Sequence, residues 1–343
     1  MRKAQNLLFG AALFTLCCAL VTIGRADTVY AVSFSTGELI SYESADPAGT
    51  RSTLLTGGSL VSPGSLAFGP DGNLYIGENG DGSTFAPRIS KYEITTLTLS
   101  TVYAFSGFEV FPGSLAFKGN DLLIGRNPFF SNTGPITLLS NATGGTPAVS
   151  DYTTGGSLAS SPGLALATDG RLYVSDQTYN FTTGIASGPV KRFDAAGTYF
   201  GEVIADGASG LAGPTGLVIQ GDTLFTASIM DGAILQTDLA TDTTQTFADI
   251  GVPFEAAVLA GLTDDGLIVG SPSGNGDIYR FTSDGTLVDT YASGLGQIGG
   301  IATVPEPGTF WLVAAGCAIG ALVLRRRAVR SSGRTARCGR GRF

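Results

Sequence analysis

The stretch Pro63–Gly77, PGSLAFGPDGNLYIG, decides the fold. It reads as a strand of small residues, a tight turn at Asp71-Gly72, and an aromatic–aliphatic strand. Asp-Gly is the pair that tolerates the left-handed backbone a two-residue hairpin demands. The phrase returns in register as Pro112–Gly125 (PGSLAFKGNDLLIG) and Pro162–Ser175 (PGLALATDGRLYVS). Looser copies occupy Pro214–Ala227 (PTGLVIQGDTLFTA) and Val258–Gly270 (VLAGLTDDGLIVG).

A second hairpin follows each copy, over Ile89–Phe105, Ile136–Tyr152, Val190–Ala205, Ile234–Asp249 and Ile278–Ala292. Two of these, VKRFDAAGTYF from Val190 and IYRFTSDGTLV from Ile278, are near copies of each other. The unit is therefore four antiparallel strands, A to D. A sixth unit is split between the two ends of the body. Its strand A is expected at Gly299–Val304, B at Thr28–Phe34, C at Glu38–Tyr42 and D at Arg51–Leu55. Pairing the two ends closes a ring and removes the exposed sheet edges of an open array. Residues 28–303 divided among six units give about 46 residues each, a length that suits four-stranded blades. The reading is all-β: a six-bladed β-propeller over 27–303. A β-sandwich does not account for five in-register copies of one phrase.

The phrases Pro-Gly-x-Leu-Ala-Phe and Asp-Gly-x-Leu-Tyr-Val resemble those of NHL-repeat and gluconolactonase-like propellers over essentially the whole body. Composition agrees with many short strands and tight turns. There are 50 glycines, and only 14% of residues are charged. All 28 acidic residues but only nine of the 20 basic ones fall within 27–307. So acidic a body repels nucleic acid and anionic lipid. The four cysteines, Cys17, Cys18, Cys317 and Cys338, lie in the terminal segments, and the chain has no histidine. That excludes disulfides from the body, and with them Ser–His–Asp catalysis and histidine-ligated metal.

Residues 1–26 read as a signal peptide for signal peptidase. Arg2 and Lys3 precede the apolar run Leu7–Ile23, and Gly24 and Ala26 offer small residues before Asp27. At the other end, Val304-Pro305-Glu306-Pro307 introduces an uncharged stretch, 308–324, followed at once by Arg325, Arg326 and Arg327. As a helix that stretch is about 26 Å long, close to the bilayer core of about 30 Å. The arginines hold the tail, including the basic segment 328–343, on the cytoplasmic side, so the body faces outward. The order Pro-Glu-Pro, span, basic cluster over 304–327 resembles the PEP-CTERM family. That resemblance implies an exosortase-like processing enzyme and a producer of exopolysaccharide. This chain runs 16 residues beyond Arg327, further than the family's usual end.

Aligning the copies places Ser33, Glu78, Arg126, Asp176, Ser228 and Ser271 at the end of strand B. In propellers of this kind that position is expected to point into the central channel. Gluconolactonase-like enzymes hold a divalent cation there, and Glu78 and Asp176 resemble its ligands, with Asn79 and Asn127 nearby. Ca2+ or another divalent ion is the cofactor this implies. Arg126, in the blade between them, would compete with a metal and keep both carboxylates ionised. No catalytic residue emerges. The long B–C loops of blades 2 to 4 carry Phe85, Phe129, Phe130, Tyr179 and Phe181, and aromatics on loops are apt to anchor a sugar or a protein. Two functions are expected from this. One is an exported surface propeller that binds a glycan or a protein. The other is a divalent-cation-dependent lactonase or hydrolase.

Overall fold

A computed structural model describes residues 27–81, 86–106, 110–126, 133–273 and 275–305. These residues form six four-stranded sheets. Blade 1 is assembled from both ends of the body, in the order Ile298–Pro305, Asp27–Ser33, Leu39–Glu43, Ser52–Leu55. Blade 2 runs Pro63–Phe68, Leu74–Glu78, Arg88–Glu93, Thr98–Ala104. Blade 3 runs Pro112–Lys118, Asp121–Arg126, Thr137–Ser140, Ala148–Asp151. Blade 4 comprises Leu164–Leu166, Leu172–Ser175, Val190–Phe193 and Tyr199–Ile204. Blade 5 comprises Pro214–Gln220, Thr223–Ser228, Ala233–Asp238 and Thr243–Asp249. Blade 6 comprises Val258–Gly261, Leu267–Gly270, Ile278–Phe281 and Leu287–Ala292. Strand boundaries fall within a residue or two of those read from the repeat, and the terminal strands pair as expected.

The core explains why strand B reads as an unbroken apolar run. Successive side chains of a strand point to opposite faces, and each blade buries both of its faces. Leu74 and Ile76 join Val32 and Leu39 between blades 1 and 2, while Tyr75, between them in sequence, packs with Leu122 and Ile124 of blade 3. Leu123 turns the other way, toward Leu172 and Val174 of blade 4. Further clusters join blade 4 to 5 (Tyr173 with Leu224) and blade 5 to 6 (Phe225 with Leu267). The last joins blade 6 to blade 1 through Ile268, Ile278, Val29 and Ile40. Six apolar interfaces for six blades is the arithmetic of a closed ring.

The glycine of the repeated Pro-Gly has a packing cause near the axis. A Cβ on Gly163 would lie 1.9 Å from the carbonyl oxygen of Thr215 in the next blade. At Gly299 it would meet the Pro63 oxygen at the same distance. Neighbouring inner strands approach so closely that only hydrogen fits.

The structure differs from the expectation in one loop. The blade 4 segment between strands B and C contains its own hairpin, Thr178–Asn180 with Ile185–Ser187. Asn180 Oδ1 accepts the amide protons of Thr182 and Thr183 and so closes the turn. The alternating Thr-Tyr-Asn and Ile-Ala-Ser segments around Thr-Thr-Gly are its sequence signal. Among the described residues, no helix is long and apolar enough to cross a membrane. The signal segment 1–26, the span 308–324, Glu306, Pro307, Arg325–Arg327 and the tail 328–343 lie outside the described residues. So do Phe85, Asn127, Phe129 and Phe130.

Candidate functional site

At the end of strand B, the ring of six residues fastens each blade to itself. Glu78 is fully buried. Its Oε1 accepts Arg88 Nε at 2.8 Å and the Ser90 hydroxyl. Its Oε2 accepts Arg88 Nη2 at 2.7 Å and the Val61 amide at 2.7 Å. Asp176 Oδ1 accepts the Ala159 amide at 2.7 Å, and Oδ2 pairs with Lys191 Nζ at 2.5 Å. Ser228 Oγ accepts the Ala212 amide at 2.9 Å and donates to the Ala212 carbonyl. Glu78, Asp176 and Ser228 thus act alike, since each ties the end of strand B to the segment entering strand A, 16 or 17 residues upstream. Ser33 and Ser271 accept amides just downstream, from Thr36 and Ser273. Arg126 Nε donates to the Pro135 carbonyl within its own blade.

The cation expected beside the two carboxylates was Arg126, but Arg88 and Lys191 hold those places. Arg88 is the in-register neighbour of Glu78 on strand C. A hard divalent cation needs several free oxygen ligands. Glu78 already accepts four donors, two of them from a guanidinium, so this donor set does not fit one. Among the described residues, no three acidic, cysteine or histidine side chains gather into a metal-holding group.

The cavity takes its lining one residue further along. It measures about 500 Å³ and draws on every blade. The starts of the inner strands contribute Gly64, Gly113, Pro162, Thr215, Val258 and Gly299. Phe34, Gln177, Ile229 and Pro272 are the residues that directly follow Ser33, Asp176, Ser228 and Ser271. Along an extended chain the side chain reverses at each step. The capping residue therefore faces its own blade, and its successor faces the axis. Among the described residues, no charged side chain lines this funnel. Its apolar wall is strongest where Phe34, Ile229, Phe254, Pro272 and Ile298 meet, and Gln177, Thr215, Ser273 and Gln297 supply polar groups.

Phe254 is the one wall residue with a strained backbone, at φ +65°. Its amide donates to the Ile229 carbonyl at 2.7 Å, which holds it there. A non-glycine residue in this region costs about 1–2 kcal/mol, a cost concentrated in natural proteins at working sites. Asn79, the counterpart of Gln177 in blade 2, is buried and donates to the Ser62 carbonyl, while its Oδ1 lacks a partner.

An acidic group sits at the rim. Glu255 accepts the Ser273 hydroxyl at 2.5 Å and the Tyr279 hydroxyl at 3.1 Å. Burial, and then the charge of Glu255, raise the Asp277 carboxyl above its ordinary value of 3.8. The fold therefore disfavours the ionised form. The contribution of Asp277 to stability is complete below pH 3.8 and is lost as pH rises through the folded value. Asp277→Asn is expected to be more stable than the wild type at pH 7, and the gain should vanish below about pH 4. Urea unfolding at the two pH values checks this. An equal effect at both would show that charge is not the cause.

Of the loop aromatics, Tyr179 and Phe181 are placed on the blade 4 hairpin, ring edge to ring face at 5.0 Å. Phe181 is 61% exposed and Ile185 54%, an apolar tip beside Gln177 in the chain. Sequence reasoning missed Phe34, Ile229, Phe254 and Pro272. A large residue directly after the serine ending strand B was the only signal for Phe34, Ile229 and Pro272, and Phe254, between Asp249 and Val258, lacked even that.

Fold and axial cavity together make this chain a six-bladed β-propeller with four-stranded blades. Residues 303–327 match the PEP-CTERM protein-sorting motif, which marks an exported, surface-sorted protein handled by an exosortase-like system. No curated protein matches the chain in sequence. Among solved structures it resembles a chain of a nidogen/laminin complex, at 13% identity and TM-score 0.64, over 81% of this chain and 98% of that one. It also resembles TolB from Acinetobacter baumannii, at 13% identity and TM-score 0.57, over 82% and 67%. A protein of unknown function from Bacteroides caccae matches at 12% identity and TM-score 0.57, over 82% and 100%. Likeness at such identity speaks for the propeller fold alone.

Proposed function

We propose that this exported propeller is a binding module whose axial funnel receives an uncharged, mainly apolar group of a protein partner. The observation that carries this is the funnel lining. Its described residues carry no charge and are built around Phe34, Ile229, Phe254 and Pro272, in a body crowded with carboxylates. Apolar pockets with a few placed polar groups are the usual form of a binding site. Gln297 is suited to meet the backbone of an inserted segment, Gln177 is held in the wall by its Nε2 bond to the Pro214 carbonyl at 3.1 Å, and the Tyr179–Phe181 hairpin adds an exposed anchor. A cell-surface polysaccharide is the competing partner. It would call for more polar groups along the walls than the lining offers.

Targeting completes the reading. A signal peptide at 1–26 starts export, and the span 308–324 with Arg325–Arg327 holds the tail until processing. The lactonase alternative draws little support, because the carboxylates it would use are engaged by Arg88 and Lys191.

The test is capture from the cell envelope by the wild type and by Phe254→Ala and Ile229→Ala, beside a glycan array. Each substitution is expected to weaken the captured protein's binding about tenfold, equivalent to about 1.4 kcal/mol. Array binding that both variants keep, with no protein captured, would overturn the proposal.

A further inference from the structure

The funnel wall holds a polar side chain that is buried, fixed and only half satisfied. Gln177 lines the cavity and is 3% exposed. Its Nε2 donates to the Pro214 carbonyl at 3.1 Å, across the gap from blade 4 to blade 5. That bond orients the amide, so the position of Oε1 is set as well. Among the described residues, no donor meets Oε1. The other polar groups of the lining differ. The Thr215 hydroxyl donates to the Ala227 carbonyl at 3.4 Å and the Ser273 hydroxyl to Glu255, so both protons are already engaged. The Gln297 side chain is exposed, and water serves either end of its amide. Blade 2 repeats the tethered amide at the equivalent place. There Asn79 Nδ2 donates to the Ser62 carbonyl at 3.2 Å, and Oδ1 has no partner.

We propose that Gln177 Oε1 selects what enters the funnel, and that the inserted group is an aromatic side chain with its own donor, a tyrosine hydroxyl or a tryptophan N–H. This rests on the binding function proposed above and narrows it. A plain hydrocarbon plug strips water from Oε1 and supplies no donor in its place, and a buried acceptor left unpaired costs free energy. A phenol or an indole restores the bond while its ring meets Phe34, Ile229 and Phe254. Serine or threonine satisfies Oε1 but leaves that apolar wall, and most of a cavity of about 500 Å³, unfilled. Lysine or arginine brings a charge into a lining whose described residues carry none to balance it.

The test uses the full chain in detergent micelles and two water-soluble probes, N-acetyl-tyrosinamide and N-acetyl-phenylalaninamide, which differ by one hydroxyl. Affinities are read by NMR titration. The tyrosine probe is expected to bind about tenfold more tightly, the effect of one hydrogen bond. Equal affinities would overturn the selection by Gln177 and leave the apolar funnel as a binding site. Failure of both probes to bind at millimolar concentration would overturn the two together. Gln177→Met keeps the length of the side chain and loses the amide. It is expected to make the two affinities nearly equal, whereas Phe254→Ala should weaken both probes by a similar factor. A tyrosine preference that survives in folded Gln177→Met places the acceptor elsewhere and overturns the assignment. A readout in the wild type covers the case in which that variant does not fold. The side-chain amide resonances of Gln177 should move on saturation with the tyrosine probe and stay nearly in place with the phenylalanine probe. Equal movement with both would also sink the proposal.

Discussion

Gly163→Val is expected to destabilise the body by about 3 kcal/mol or more, enough to leave much of it unfolded in the cell. The reason is geometric. The first side-chain carbon would fall 1.9 Å from the Thr215 oxygen and 2.8 Å from Ser175 Oγ. The first of these is backbone of the neighbouring inner strand, where the blades converge and no rotamer change makes room. Relief requires blades 4 and 5 to part, which loosens the cluster holding Tyr173 against Leu224. Gly144→Ala is the matched control, since a Cβ there meets nothing within 4 Å. It should shift stability by no more than about 0.5 kcal/mol. Urea unfolding of both variants provides the comparison. If they unfold alike, the close approach of inner strands does not limit the ring.

Glu78→Gln carries the second large effect, a loss of about 2–4 kcal/mol. Glutamine preserves the shape but leaves Arg88 without its charge partner and turns an acceptor oxygen into a donor. That donor faces the Val61 amide or the Arg88 guanidinium, both of which are donors too. Arg88 is 34% exposed on its side chain, which lets water soften the loss. The same variant tests the cation reading. Because Glu78 is saturated, millimolar Ca2+ or Zn2+ should leave the melting temperature of the wild type unchanged. A cation-dependent rise in the wild type that disappears in Glu78→Gln would reinstate a metal site and, with it, the hydrolase alternative.

Both predictions bear on how far the sequence could be read. The strands of the repeat are buried on both faces, so Leu74, Tyr75 and Ile76 form an unbroken apolar run. Such a run is conspicuous, and its return at even spacing counts the blades. The run does not reveal which residue at its end faces the axis. Alternation gives only two choices, and a strand with two apolar faces carries no polar residue to mark one of them. The ring Ser33, Glu78, Arg126, Asp176, Ser228 and Ser271 was therefore legible as a set of equivalent positions. Its capping role, and the funnel formed by the next residues, were not. The partner of Glu78 was hidden for a related reason. Arg88 lies ten residues away across a loop, and only the register Glu78↔Arg88 brings it alongside.

The sequence by itself determined the number of blades, the split of the sixth unit between the chain ends, and the sorting motif. Each of these is written in local patterns that recur or stand in a fixed order. The tertiary structure alone decided which side of each strand end looks inward and which cation neutralises each buried carboxylate. Those are matters of half-turns and of pairing between distant segments, and a chain acquires them only when its sheets pack around a common axis.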